Sequence, residues 1–311
     1  MLNVANCVIS GGEPFLRRDL VQIIDALMSN RIFLSSIFTN GTITNKEVTD
    51  RLSLMGTTLL VSVDGIGQDH EAIRGTRTFD KTIAFIKQAV SDNVKVMVNT
   101  VVTAFNVNKL MELRGFIKDL GVYGWRITVI RPQGNAVSSQ EEITPETLTV
   151  HSAYRELIAN QLENPDGLKI FVNSIFTSNM QRAGLYYLFG DSTSCCEYKR
   201  NALVVKPNGD VTPCTAFSDL VFGNVTEQPI SDIWRRPETQ AFKQLSVGQT
   251  DCKTCDIRGL CGAGCRKIAQ DLNGSVLAKD DSACSLYRFA FDTICPLLKK
   301  HGIKSRSIIT G

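Results

Sequence analysis

Nine of the ten cysteines in this 311-residue chain lie between Cys195 and Cys295, and the first 194 residues hold only Cys7. That asymmetry constrains the fold more than any other feature. Disulfide scaffolds belong to short secreted chains. This chain is long, and its first residues lack the basic, apolar and cleavage regions of a signal peptide. Clustered thiols in a reducing compartment bind metal or carry redox chemistry. The expectation is a cytoplasmic protein with a cysteine-poor front and a metal-binding back. The charge balance, 34 basic against 31 acidic residues for a net +3, favours neither nucleic acid nor an anionic membrane as partner. No run of about eighteen apolar residues predicts a membrane-spanning helix.

The front alternates strand-like and helix-like segments. Strands are expected at Asn6–Ser10, Ile32–Phe38, Thr58–Val63, Val94–Thr103, Trp125–Ile130 and Lys169–Val172. Helices are expected between them, with Thr144 as N-cap and Pro145 at the first position of a later one, and another near Ile175–Leu188. This alternation predicts βαβ units and a parallel sheet whose apolar strands are covered on both faces or closed into a barrel. Polar residues gather where strands end: Gly11-Gly12-Glu13, Thr39-Asn40, Ser62 with Asp64, Asn99, and Arg131. Any one of these is explained by turn formation alone. Five in succession point to a ligand face at the C-terminal ends of the strands.

Behind residue 191 the spacing of cysteines takes over. Cys196 is followed by Gly209 and Cys214, then by Cys252-x2-Cys255-x5-Cys261-x3-Cys265, then by Cys284. Seven thiolates exceed one four-coordinate ion and fit two sites. Structural zinc is the strongest rival, but the gap of about 15–20 residues between the pairs of a zinc ribbon is missing. Cys7 and Cys295 have no neighbouring partner and read as core thiols.

This cysteine pattern resembles the seven-cysteine signature of the SPASM extension of radical S-adenosylmethionine (SAM) enzymes. Gly11-Gly12-Glu13-Pro14, Thr39-Asn40-Gly41 and Val61-Ser62-Val63-Asp64-Gly65 resemble strand ends of the same family. The resemblance spans roughly residues 1 to 290. It implies an α/β fold: an incomplete (β/α)6-type radical SAM barrel over 1–190, a small cysteine-rich SPASM domain over 191–290, and a basic tail over 291–311. It implies two auxiliary 4Fe–4S clusters. Cys196, Cys214 and Cys265 would hold the first, with Cys195 as a candidate fourth ligand; Cys252, Cys255, Cys261 and Cys284 would hold the second. It also implies that Gly11, Gly12, Glu13 and Pro14 bind the methionyl end of SAM, with Ser62 touching the cofactor; Asn99 and Arg131 are added from strand-end position.

One element departs from the family. The C-x3-C-x2-C that binds the catalytic 4Fe–4S cluster lies upstream of GGEP in radical SAM enzymes, and only ten residues precede Gly11 here. The expectation is an N-terminally incomplete copy of an oxidoreductase, lacking one strand and leaving an unpaired sheet edge. The complete enzyme would cleave SAM to a 5′-deoxyadenosyl radical and abstract hydrogen from a peptide, protein or cofactor-precursor substrate, with ferredoxin or flavodoxin as electron donor. The alternatives are a non-catalytic iron–sulfur module for electron transfer or peptide binding, and a zinc-stabilised structural protein.

Overall fold

A computed structural model describes residues 4–131, 140–188, 195 and 201–307. The chain divides into two compact units, Asn3–Arg182 and Ala183–Gly311, the latter joined by Met1–Leu2.

The first unit is built on one seven-stranded sheet. Its strands, β1 (Asn6–Ile9), β2 (Phe33–Thr39), β3 (Thr58–Ser62), β4 (Lys95–Val102), β5 (Gly124–Val129), β6 (Lys169–Val172) and β7 (Phe176–Thr177), lie side by side in chain order. The first six pair in parallel, and β7 turns back antiparallel to β6. The connections carry α1 (Leu20–Ser29), α2 (Lys46–Met55), α3 (Gln68–Arg74), α4 (Phe79–Ser91), α5 (Leu110–Asp119), α6 (Gln140–Ile143) and α7 (Thr147–Glu163). Local chemistry sets their ends. At the start of α2, Asn45 accepts from the Val48 amide, and Gly56 closes the helix in the left-handed region.

The sheet is not uniformly covered. In β4 the buried residues Val96, Val98, Thr100 and Val102 alternate with half-buried Lys95, Met97, Asn99 and Val101. One face is therefore sealed, and the other, which carries Asn99, is partly open. β1 forms the edge, and Val8 on it is 50% exposed.

Two sequence-based expectations need correction here. Thr144 does not cap a helix: α7 begins at Thr147, with Glu146 at the N-cap and no side-chain cap bond. The long helix expected near Ile175–Leu188 is β7, the six-residue α8 (Ser178–Ala183) and β8 (Leu185–Leu188), with Gly184 in the left-handed region between the last two.

The second unit is assembled from short pieces. β9 (Val204–Val205), β10 (Asp210–Thr212) and β11 (Gly223–Asn224) form an antiparallel sheet. It packs its apolar side, Val211 and Phe222, on Ile233 of α9 (Ile230–Arg235) and Phe242 of α10 (Pro237–Lys243). Beyond it come α11 (Arg258–Cys261), α12 (Arg266–Asn273), α13 (Asp281–Phe289) and α14 (Cys295–Lys300). The stretch expected as a surface tail enters this unit: β12 (Lys304–Ser307) pairs in parallel with β8.

Candidate functional site

GGEP follows β1 as a loop entering a single 3-10 turn at Pro14–Leu16. The carboxylate of Glu13 is turned inward onto its own chain. Its Oε1 accepts from the Thr39 hydroxyl at 2.8 Å and the Phe15 amide at 3.0 Å, and its Oε2 accepts from the Asn40 amide at 2.7 Å. Glu13 thus ties the β1 loop to the end of β2, a role that the sequence did not reveal. Gly41, next along, has φ 71° and no room for a side chain, since a Cβ would sit 2.9 Å from Val61 Cγ1. Gly12 is different. It lies outside the left-handed region, and a Cβ there would meet no atom within 4 Å. Neither packing nor backbone conformation calls for glycine at this position.

Ser62 and Asn99 are brought together, because they are register partners on β3 and β4. Asn99 is in turn the partner of Arg126 on β5. Residues in register share a face, so a hydroxyl, an amide and a guanidinium form one row on the half-open side of the sheet. Sequence reasoning passed over Arg126. The signal was a charge inside the apolar run Trp125–Val129. Arg131 lies just beyond β5 and is exposed.

A buried hub fixes the ends of β3 and β4. Asp64 is fully buried; it pairs with Arg74 Nε at 2.5 Å and accepts from the Val101 amide at 2.7 Å. Asn106 donates to the carbonyls of Asp64 and Val101 at 2.8 and 2.9 Å. His70 accepts from the Asp64 amide at 3.3 Å, and burial pushes its pKa down, keeping the ring neutral for that role.

In the second unit, Cys252, Cys255 and Cys284 line a cavity of about 290 Å³ together with Asp251, Thr254, Ile257, Lys279 and Arg288. Cys261 belongs to the same group electrostatically. Its thiol is pushed up to about 12, first by burial and then by repulsion from Cys284, Cys252 and Cys255. Among the described residues, no three His, Cys, Asp or Glu side chains converge tightly enough to hold a single metal ion. Cys195 is buried with Val247, Cys252 and Ala263, with Cys255 against them, so it neighbours this set. Cys214 and Cys265 are half-buried, on the loop after β10 and at the N-cap of α12. Cys196 lies outside the described residues. Cys295 is half-buried and hydrogen-bonded with Tyr186.

Asp280 links the cysteine segments. This buried carboxylate accepts from the Cys265 amide at 2.7 Å through one oxygen. Through the other it caps α13, the helix of Cys284, by accepting from the Ala283 amide at 3.0 Å. Arg266 is buried beside the same group. Its guanidinium donates to the carbonyls of Ala263, Val276 and Ala278, and its buried Nε has no acceptor among the described residues.

Comparison with known proteins matches these two regions separately. A radical SAM superfamily model covers residues 2–119, and the SPASM iron–sulfur cluster-binding domain model covers residues 195–256. Such domains indicate 4Fe–4S clusters and SAM as cofactors. The chain is 23% identical to the AdoMet-dependent heme synthase of Nitratidesulfovibrio vulgaris, over 88% of this chain and 77% of the relative. It is 27% identical to the PqqA peptide cyclase of Methylobacterium sp., over 92% of this chain and 74% of the relative. In fold it is similar to the solved structure of anSMEcpe with bound AdoMet and Kp18Cys peptide, with a TM-score of 0.73 and 19% identity, covering 96% of this chain and 86% of that one. Among the described residues, no helix is long and apolar enough to cross a membrane.

Proposed function

We propose that this chain, which matches a radical SAM superfamily model over residues 2–119 and a SPASM domain model over residues 195–256, is an oxidoreductase that modifies a peptide or protein by radical chemistry. SAM with its 4Fe–4S cluster, when bound, supplies one-electron hydrogen abstraction; the chain supplies position and electrostatics. Gly11, Gly12, Glu13 and Pro14 would hold the methionyl end of SAM. Glu13 fixes that loop to β2, and the free space at Gly12 lets a ligand approach the backbone. Ser62 and Asn99, paired across β3 and β4, would contact the cofactor from the open face, with Arg131 at the neighbouring strand end.

Two auxiliary clusters complete the reading. Cys196, Cys214 and Cys265 would hold one, with Cys195 as its candidate fourth ligand, and Cys252, Cys255, Cys261 and Cys284 the other. The observation that supports the cluster assignment is the gathering of Cys252, Cys255 and Cys284 around the 290 Å³ cavity, with Cys261 close enough to feel their charge. The orphaned Arg266 Nε beside them suits an anionic occupant. An acidic ferredoxin or flavodoxin would deliver electrons, in a reducing cytoplasm.

The heme synthase relative favours a second substrate class, a porphyrin-like cofactor precursor. The peptide cyclase relative favours the first. Cleavage of SAM needs the C-x3-C-x2-C of a catalytic cluster, a motif that these 311 residues do not contain. Sequencing the gene with its flanking DNA and reconstituting the encoded protein anaerobically tests the reading. Release of 5′-deoxyadenosine from SAM, raised by the right substrate, is the expected result. Absence of the motif, or no 5′-deoxyadenosine from cluster-loaded protein, refutes the enzyme and leaves the non-catalytic iron–sulfur module.

A further inference from the structure

We propose that Arg266 is the buried counter-cation of the cluster held by Cys252, Cys255, Cys261 and Cys284, and that its charge raises that cluster's reduction potential; the inference rests on the ligand reading above.

Arg266 is a cation held out of water, at 1% exposure. Its acceptors are backbone carbonyls: Val276 at 2.8 Å and Ala278 at 2.9 Å through Nη1, and Ala263 through Nη2. Among the described residues no carboxylate lies within ion-pair distance of it, and Nε has no acceptor. A buried cation is costly unless an opposite charge offsets it, and an anion bound beside Arg266 would supply that offset.

The surroundings of Arg266 are the thiol group. Ala263, whose carbonyl accepts from Nη2, belongs to the same small buried core as Cys252, against which Cys255 also packs. Ala278, which accepts from Nη1, precedes Lys279 on the cavity wall. A 4Fe–4S core ligated by four thiolates is an anion in both of its working oxidation states, so it would supply that offset. Reduction adds one more negative charge, and a nearby cation stabilises the reduced form more than the oxidised one.

The other charges on the cavity wall are weaker candidates. Lys279 is exposed and pairs with Asp281 at 3.4 Å, and Arg288 is exposed and pairs with Asp256 at 2.6 Å. Solvent screens both, and each is offset by its partner. Arg266 has neither screen nor partner, so the same charge acts there through a lower dielectric.

The test is an anaerobic, EPR-monitored redox titration of reconstituted protein, following the signal that is absent from Cys284→Ser. Arg266→Gln keeps donors and loses the charge. It is expected to lower the reduced-to-oxidised ratio at fixed potential at least tenfold, about 59 mV for one electron. Arg266→Lys, with the charge kept and the fork lost, is expected to stay within threefold of the parent, and Lys279→Gln within twofold. The proposal is overturned if Arg266→Gln titrates with the parent at equal iron content, or if Lys279→Gln shifts as far. Should Arg266→Gln fail to load, Arg266→Lys decides: a tenfold fall there makes the hydrogen-bond fork, not the charge, responsible. Parent protein that holds no such signal refutes the ligand reading itself.

Discussion

The two units of this chain are stabilised in different ways. The first closes a continuous aliphatic core: Leu34, Ile37, Leu59, Val61, Val96, Val98, Ile127 and Ile170 are all fully buried on adjacent strands. Its strands run to seven and eight residues in β2 and β4. Among the described residues of the second unit no strand exceeds four residues, and its small cores include one that is largely cysteine and alanine. Near the thiols, polar bonds replace packing: the Asp280 carboxylate, the Arg266 guanidinium and left-handed turns at Gly262, Ala263 and Gly264. If the thiolates hold clusters as proposed, the region around them would draw part of its stability from what they bind.

The strongest way to break that contrast is to remove the metal. Chelation of reconstituted protein should expose the region after residue 183 to limited proteolysis while residues 3–182 stay resistant. Equal resistance with and without iron would show that the second unit folds on its own. The reciprocal change is Leu59→Ala. It empties a fully buried site in the sheet and should cost ~2–5 kcal/mol in the unfolding of the first unit, read by denaturant titration. Iron content should be unchanged, and a matching loss of iron would mean that the two units do not fold independently.

The same contrast explains what the sequence could tell. The six parallel strands were legible because each is a run of apolar residues bounded by Gly, Asn or Asp. The thiol pattern was legible because ligand spacing is covalent arithmetic. What escaped depends on contacts distant in sequence. β12 is the polar run Lys304-Ser305-Arg306-Ser307 and becomes a strand only through pairing with β8, more than a hundred residues earlier. The helix expected near Ile175–Leu188 failed for the same reason, since β8 is the other half of that pair. Glu13 reads as a ligand group in sequence, yet its oxygens are engaged by Phe15, Thr39 and Asn40, a use visible only once β1 and β2 lie together. Arg266 looks like one basic residue among 34 until three carbonyls close around it, with no acid paired to it among the described residues.

The finest test of the comparison separates packing from ligand binding within the first unit itself, at Gly12. Most glycines at tight turns are held there by geometry, as Gly41 is by its φ of 71° and its contact with Val61. Alanine at Gly41 should therefore destabilise the fold. At Gly12 the chain leaves empty space and an ordinary backbone, so Gly12→Ala should change unfolding free energy by no more than about 0.5 kcal/mol. If the free space serves a bound ligand, the added methyl should nevertheless weaken SAM binding, measured by calorimetry, by at least about tenfold, equivalent to ~1.4 kcal/mol. Loss of stability without loss of affinity would place Gly12 with Gly41 as a folding residue. Affinity lost at constant stability would separate the ligand loop from the packed sheet that carries it.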